Sequence, residues 1–208
     1  MARPPLTAER FAEDAGVSRE TCERLGAYLA LLRRWQPAIN LVGTSTLADP
    51  WRRHIADSAQ LLPLLPAATR TVVDLGSGAG LPGLVLAILG VPEVHAIESD
   101  RRKAQFLREA ARATDAKLRV HACRIEEVAD PIRADVVTAR ALAPIGRLLG
   151  LATRFVGDGT TQLYLKGGHV EDERAEAEAE WAFSCSVHPS RTDASGAIVR
   201  ITDVRRRA

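Results

Sequence analysis

Apolar residues follow two regimes along this chain. Up to about Leu65 they recur at helical spacing, and from Arg70 onward short apolar runs of strand length alternate with helical stretches. Ser18 precedes a run in which Leu25, Leu29, Leu32 and Trp35 share one helical face, which predicts a long helix capped by Ser18 and stopped by Pro37. Residues 1–6 read as a frayed tail, 38–48 as an irregular stretch, and 50–65 as a further helix that buries Ile55, Leu61, Leu62 and Leu65, with Pro63 and Pro66 working against its end. Strands are then predicted at 71–75, 94–97, 118–121, 135–138 and 161–165, with helices at 84–90, 101–114, 144–155 and 170–182 between and after them. Two last strands, 184–188 and 197–203, flank a turn near Ser195-Gly196 and read as an antiparallel pair. Strand and helix alternating at this spacing give an α/β fold with a parallel sheet covered on both faces. We therefore expect an N-terminal helical extension over 1–69 and a Rossmann-like domain over 70–208.

Composition narrows the class without naming a function. With 208 residues, 46% apolar and 26% charged, the chain can bury a core without disulfides or metals. Cys22, Cys123 and Cys185 are widely spaced and form no CxxC pair, so neither a disulfide framework nor a zinc site is indicated. The N-terminus lacks the apolar core of a signal peptide and no stretch has membrane-helix length, so a cytoplasmic protein is expected. The net charge of +2 does not by itself announce a nucleic-acid binder. Arginine outnumbers lysine 25 to 3, which suits phosphate forks but equally reflects an Ala- and Arg-rich coding bias. The acidic run from Glu171 to Glu180 reads as a solvated helix face.

The most informative segment is Val72-Val-Asp74-Leu-Gly76-Ser77-Gly78-Ala-Gly80-Leu81-Pro-Gly83. A strand, alternating glycines and a helix start let backbone approach a nucleotide-like ligand closely. Residues 78–83 also match GxGxxG, the pattern of NAD-dependent oxidoreductases, which alone is weak evidence. Three features point elsewhere: Asp74 within the first strand, glycines at 76, 78 and 80, and the acids Glu98 and Asp100 closing the second strand. Together they resemble the loop of class I S-adenosylmethionine-dependent methyltransferases. A carboxylate in the position of Glu98 accepts both ribose hydroxyls of that cofactor, Asp74 orients the loop or meets the methionine ammonium through water, and Asp100 suits an N-cap.

Four segments then single out a family. Trp35-Gln-Pro-Ala-Ile-Asn-Leu41, Arg53-His54-Ile-Ala-Asp57-Ser58, Gly76–Gly83 and Thr138-Ala-Arg140-Ala-Leu142 resemble, in this order, the glucose-inhibited division protein B family of bacterial methyltransferases. The similarity runs from about Leu25 to Gly168. It implies S-adenosyl-L-methionine as cofactor, guanine N7 of 16S ribosomal RNA as the target, and 16S rRNA or the 30S subunit as partner; from composition we expect no membrane and no metal, and a monomer is the default. The resemblance also implies that Gly76, Leu81, Ile125, Glu126 and Arg140 line the cofactor site, beside Asp74, Ser77, Gly78, Gly80 and Glu98. Arg53, His54 and Lys166 are candidates for substrate contact, against plainer readings: an Arg53–Asp57 helix pair, a His54–Ser58 pair and an exposed strand-end lysine. No catalytic residue is assigned, because guanine N7 carries a free lone pair and needs no general base. The position after the fourth strand reads Thr138-Ala-Arg-Ala where amine methyltransferases carry Asn/Asp-Pro-Pro-Tyr/Phe, and Cys123 lacks the neighbouring proline of a cytosine-C5 nucleophile. The alternative is a non-catalytic ribosome-assembly factor that keeps the fold for RNA binding. Arg33-Arg34, Arg52-Arg53, Arg101-Arg102-Lys103 and Arg205-Arg206-Arg207 are the candidate basic patches, while Trp35 and Trp51 read as core.

Overall fold

In a computed structural model, residues 4–129 and 132–207 are described. Five parallel strands come first: β1 (Thr71–Leu75), β2 (Glu93–Ile97), β3 (Leu118–His121), β4 (Val136–Arg140) and β5 (Thr161–Lys166). β6 (Trp181–Pro189) and β7 (Ala197–Arg206) follow as an antiparallel pair. Among the described residues they form one seven-stranded sheet in the order β3-β2-β1-β4-β5-β7-β6, with β7 antiparallel to β5. The chain winds outward from β1 through β2 and β3, then crosses back to β4 on the other side of β1. That reversal opens a crevice at the carboxyl ends of β1 and β4, the usual ligand position in such sheets.

Helices cover both faces, so the central strands are apolar nearly throughout: Val72, Val73, Leu75, Val136 and Val137 are fully buried. On one face α6 (Ile145–Ala152) and α7 (Val170–Glu178) pack Ile145, Leu148 and Val170 against Val73, Val137 and Tyr164. On the other, α2 (Arg19–Trp35), α4 (Gly83–Ile88) and α5 (Arg101–Ala113) interleave Leu25, Tyr28, Leu32, Leu84 and Phe106. Ser18 caps α2, its hydroxyl accepting from the Thr21 N–H, and Asp100 caps α5 through the Arg102 and Lys103 amides. A shorter helix, α1 (Ala8–Ala15), starts at Thr7 and ends on left-handed Gly16. Trp35 packs edge-on against Phe106 at 5.9 Å, and Trp51 lies 5.7 Å from Phe11.

Three expectations change. The described part of the supposed tail is tied down: Leu6 N–H donates to Asp49 Oδ1 at 2.9 Å, and Arg52 donates to the Pro4 carbonyl at 2.6 Å. The helix expected at 50–65 is instead a wide π turn, Trp51–Ala56, that runs into the short α3 (Asp57–Ala59) and then a 3₁₀ turn at Leu62–Leu64. Pro63 has no N–H to continue an α ladder, and the wide turn brings His54, Ile55 and Ser58 all inward. Finally, α7 stops at Glu178, because Trp181 must turn into the sheet, where it is 7% exposed and pairs with Arg206 in β7.

Candidate cofactor site and an adjoining cavity

The glycine loop is fixed from below before it offers anything above. Asp74 is fully buried, and its Oδ2 accepts the Gly83 N–H at 3.1 Å while Oδ1 accepts the Thr138 hydroxyl at 2.9 Å. Any Cβ on Gly83 would lie 2.7 Å from that carboxylate, so a side chain there has no room. Burial pushes the Asp74 carboxyl up to about 6, against the pull of the Ser77 and Thr138 hydroxyls and the Gly83 amide, with Glu98 adding a further upward push. From the side, Tyr28 of α2 donates its hydroxyl to the Ala79 carbonyl at 2.8 Å, entirely out of solvent. Gly78 holds φ +54°, a region that side chains rarely adopt, and so exposes its amide toward β2.

Glu98 at the end of β2 meets that amide. Its Oε2 accepts the Gly78 N–H and its Oε1 the Asp100 N–H, both at 2.8 Å, and the residue is 8% exposed. Each oxygen keeps a second lone pair. Above lies a cavity of about 530 Å³, lined by Gly76–Ala79, Leu81, Glu98 and, from the 3₁₀ turn at Ile125–Glu127, by Ile125 and Glu126, with Arg140, Lys103 and Arg147 also in its wall. It combines a backbone cradle, one carboxylate at a strand end and an apolar floor at Ile97 and Ile125. Those are the groups needed by a ligand with a diol, a flat heterocycle and a charged amino-acid end.

A second cavity of about 550 Å³ adjoins the first, and Arg140, Ala141, Leu142 and Ala143 line both. Ion pairs build its walls. Arg140 donates to Asp57 Oδ2 at 2.8 Å and to the Arg53 carbonyl at 3.1 Å. Arg53 pairs with Asp193 at 2.7 Å, which holds the Asp193 carboxyl down at about 2 together with two bonds from Ser195. Lys166 pairs with Glu173 at 2.6 Å and donates to the Ala143 carbonyl at 2.8 Å.

The chain matches the family model for rRNA small subunit methyltransferase G over residues 21–199. It belongs to that family. The Ribosomal RNA small subunit methyltransferase G of Rhodospirillum rubrum is 55% identical over 97% of this chain and 100% of its own. That of Rhodospirillum centenum is 57% identical over 98% of this chain and 94% of its own. In fold, the chain is similar to a mutant of MtNAS in complex with S-adenosylmethionine (TM-score 0.58, 15% identity, 94% of this chain and 83% of that one). It is also similar to the Methanococcus jannaschii fibrillarin pre-rRNA processing protein (TM-score 0.53, 15% identity, 64% and 66%). The sheet order, with its antiparallel end, is accordingly that of the class I S-adenosylmethionine-dependent methyltransferases.

In this chain Gly76, Ser77, Gly78, Leu81, Glu98, Ile125, Glu126 and Arg140 all come together around the first cavity. Asp74 and Gly80 do not line it. Asp74 lies beneath the loop, with one oxygen engaged by the Gly83 amide and the other by the Thr138 hydroxyl. The plain readings of the motif that starts at Arg53 need correction. Asp57 pairs with Arg140 rather than Arg53, because the π turn rotates Arg53 toward Asp193. Ser58 donates to the His54 carbonyl at 2.8 Å, not to its ring. Lys166 is not an exposed strand-end lysine: its side chain is 10% exposed and ion-paired.

His54 lies in the first cavity's wall and is fully buried. The Thr46 hydroxyl gives its one proton to the Gly43 carbonyl at 2.6 Å, so the His54 Nε2 contact at 3.1 Å requires Nε2 to carry the hydrogen. That leaves Nδ1 as a buried acceptor with no donor among the described residues. Burial, then the nearby charge of Arg140, pushes this imidazole down to about 4, so it is neutral at physiological pH. Arg147, Glu173 and Asp193 were not anticipated, and Lys103, expected only in a basic patch, lines the first cavity. Leu142, at 38% exposure, stands over Gly76 between the two cavities. The candidate basic patches are partly consumed by local pairing: Arg34 with Glu109, Arg52 with Asp49, Arg102 with the Ala38 carbonyl and Arg206 with Glu180.

Proposed function

We propose that this chain, an S-adenosylmethionine-dependent rRNA methyltransferase by family, transfers the cofactor's methyl group to N7 of a guanine in 16S ribosomal RNA. Glu98 would receive the ribose hydroxyls, the Gly76–Gly78 backbone would hold the methionine end, and Ile125 and Glu126 would flank the adenine. The N7 lone pair forms the new N–C bond as the methyl–sulfur bond breaks, and its electrons return to sulfur. The positive charge moves from sulfonium to the purine ring, and no proton leaves.

The observation that carries this reading is the carboxyl end of β4. There the segment that lines both cavities, Arg140-Ala141-Leu142-Ala143, presents a guanidinium already tied to Asp57 and three apolar side chains, none of which can accept a proton. An exocyclic amine loses a proton when it is methylated, whereas N7 does not. Catalysis then rests on holding a flipped base in line with the sulfonium in a closed, preorganised site.

The test is to incubate the purified protein and S-adenosylmethionine with small subunits or 16S rRNA lacking the modification, followed by borohydride reduction, aniline cleavage and primer extension. Scission at one guanine is expected. Methyl incorporation that leaves every guanine resistant to cleavage would overturn the N7 assignment.

A further inference from the structure

Three carboxylates line the second cavity, and in two of them both oxygens are already engaged by protein donors. Asp57 gives Oδ2 to Arg140 and Oδ1 to Gln60 and Thr192. Asp193 gives Oδ2 to Arg53 and Oδ1 to the amide and hydroxyl of Ser195. Glu173 differs. Its Oε2 forms an ion pair with Lys166 at 2.6 Å and accepts the Ile145 N–H at 3.0 Å, and its Oε1 has no partner among the described residues. Lys166 in turn has three donors, one of which goes to the Ala143 carbonyl, while its charge pairs with Glu173. The second cavity therefore holds one unused anionic acceptor beside one unused cationic donor, fixed against the wall it shares with the first.

We propose that the second cavity seats the target guanine and that the Lys166–Glu173 pair reads its Watson–Crick edge. This rests on the guanine-N7 reading above. The guanine edge presents O6 as acceptor, then N1–H and the N2 amino group as donors. Lys166 donates to O6 and Glu173 Oε1 accepts from the donors beside it. Adenine presents a donor and a bare acceptor in the same places and is refused on both counts. The orientation agrees with the chemistry. N7 lies beside O6 on the other side of the ring, so a base held by this pair, with Lys166 nearest Ala143, turns N7 toward the shared wall and the first cavity. Glu173 is thus a specificity-determining residue, although nothing in its acidic surroundings in the sequence sets it apart.

The test compares the wild-type protein with Glu173→Gln in single-turnover methyl transfer at saturating S-adenosylmethionine. The substrates are small subunits reconstituted on 16S rRNA that carries either guanine or inosine, which lacks the N2 amino group, at the methylated position. The wild type is expected to act at least about tenfold more slowly on inosine. In the variant, the Ile145 amide and Lys166 hold the amide oxygen in the Oε2 position, so the amide NH₂ faces the guanine donors. Its rate on guanine is expected to fall at least about thirtyfold and its preference for guanine over inosine to vanish. Thermal melting and cofactor titration establish that the variant is folded and loaded. A variant that keeps the wild-type guanine-to-inosine ratio overturns the proposal, whatever its absolute rate. Lys166→Met gives an independent check: its preference for guanine over 6-thioguanine, which keeps N1–H and the N2 amino group but replaces O6 with a weaker acceptor, is expected to flatten, and an unchanged ratio counts against the pair's role. If the wild type marks the RNA elsewhere than guanine N7, the functional reading itself falls, a result distinguishable from failure of the pair.

Discussion

The two cavities flanking Arg140–Ala143 have nearly equal volumes, about 530 and 550 Å³, but are made of different material. The first is built from backbone: a loop held from beneath by Asp74, from the side by Tyr28 and from β2 by Glu98. The second is built from side chains brought together from distant segments, Arg140 with Asp57, Arg53 with Asp193 and Lys166 with Glu173. The first suits a ligand that is the same in every turnover. A rigid frame of amides and one carboxylate costs no reorganisation when such a ligand binds. The second suits a base that must be distinguished from three others, which is a matter of donors and acceptors in order.

Substitutions separate the two. The largest effect is expected from Gly83→Ala, whose added methyl would meet the buried Asp74 carboxylate at 2.7 Å. Unfolding free energy should fall by about 2–3 kcal/mol and cofactor binding should weaken with it, as denaturant titration and calorimetry would show. A variant with wild-type stability would contradict the packed support of the loop. Next, Arg140→Gln removes the one residue that ties Asp57 and the Arg53 carbonyl to the shared wall. Methyl transfer is expected to drop at least about a hundredfold while stability falls by only about 1–2 kcal/mol, because the pair is partly solvated. The reverse ranking would make Arg140 a purely structural residue.

Glu98→Ala leaves the Gly78 and Asp100 amides without their acceptor and takes away the proposed ribose contact. The cofactor dissociation constant is expected to rise about ten- to a hundredfold by calorimetry. An unchanged value would move the cofactor out of the first cavity.

The smallest effect concerns acid. Asp74 keeps its proton up to about 6 in the folded chain against 3.8 ordinarily, so its favourable contribution is complete below 3.8 and lost as pH rises through 6. His54 titrates near 4 against 6.5, so its contribution is complete above 6.5 and lost as pH falls through 4. Between those limits the two oppose one another. Asp74→Asn preserves both bonds, its oxygen accepting from Gly83 and its amide donating to Thr138, but removes one side of the balance. Its melting temperature should therefore fall more steeply than the wild type's as pH is lowered from 6 to 4.5. Parallel pH profiles would show that the two groups are not opposed.

The same division explains what could be read in advance. A site made of backbone leaves a local signature, and Gly76, Gly78, Gly80 and Glu98 stand close enough in the chain to imply a loop, a strand end and a cofactor. Ser18 and Asp100 announced their helices for the same reason, since a cap acts on amides two or three residues away. The second cavity has no such signature. Asp57 and Arg140 lie 83 residues apart, and Arg53 and Asp193 lie 140 apart. Spacing alone pairs Arg53 with Asp57, and only the π turn at Trp51–Ala56, with Pro63 closing the segment beyond it, shows why they part. Glu173 sits in a run of acids that reads as a solvated face, and the structure turns it inward to cap the Ile145 amide. Tertiary placement, not residue type, makes it different from its neighbours.

Calorimetric titration of S-adenosylmethionine into the wild type, Gly78→Val and Glu173→Gln tests this division of labour most directly. One site of micromolar affinity is expected in the wild type and in Glu173→Gln. Gly78→Val should show none, because valine can neither adopt φ +54° without strain nor leave room for the ligand against the loop. Full affinity in a folded Gly78→Val protein, or equal loss in both variants, would contradict the assignment of cofactor and base to separate cavities.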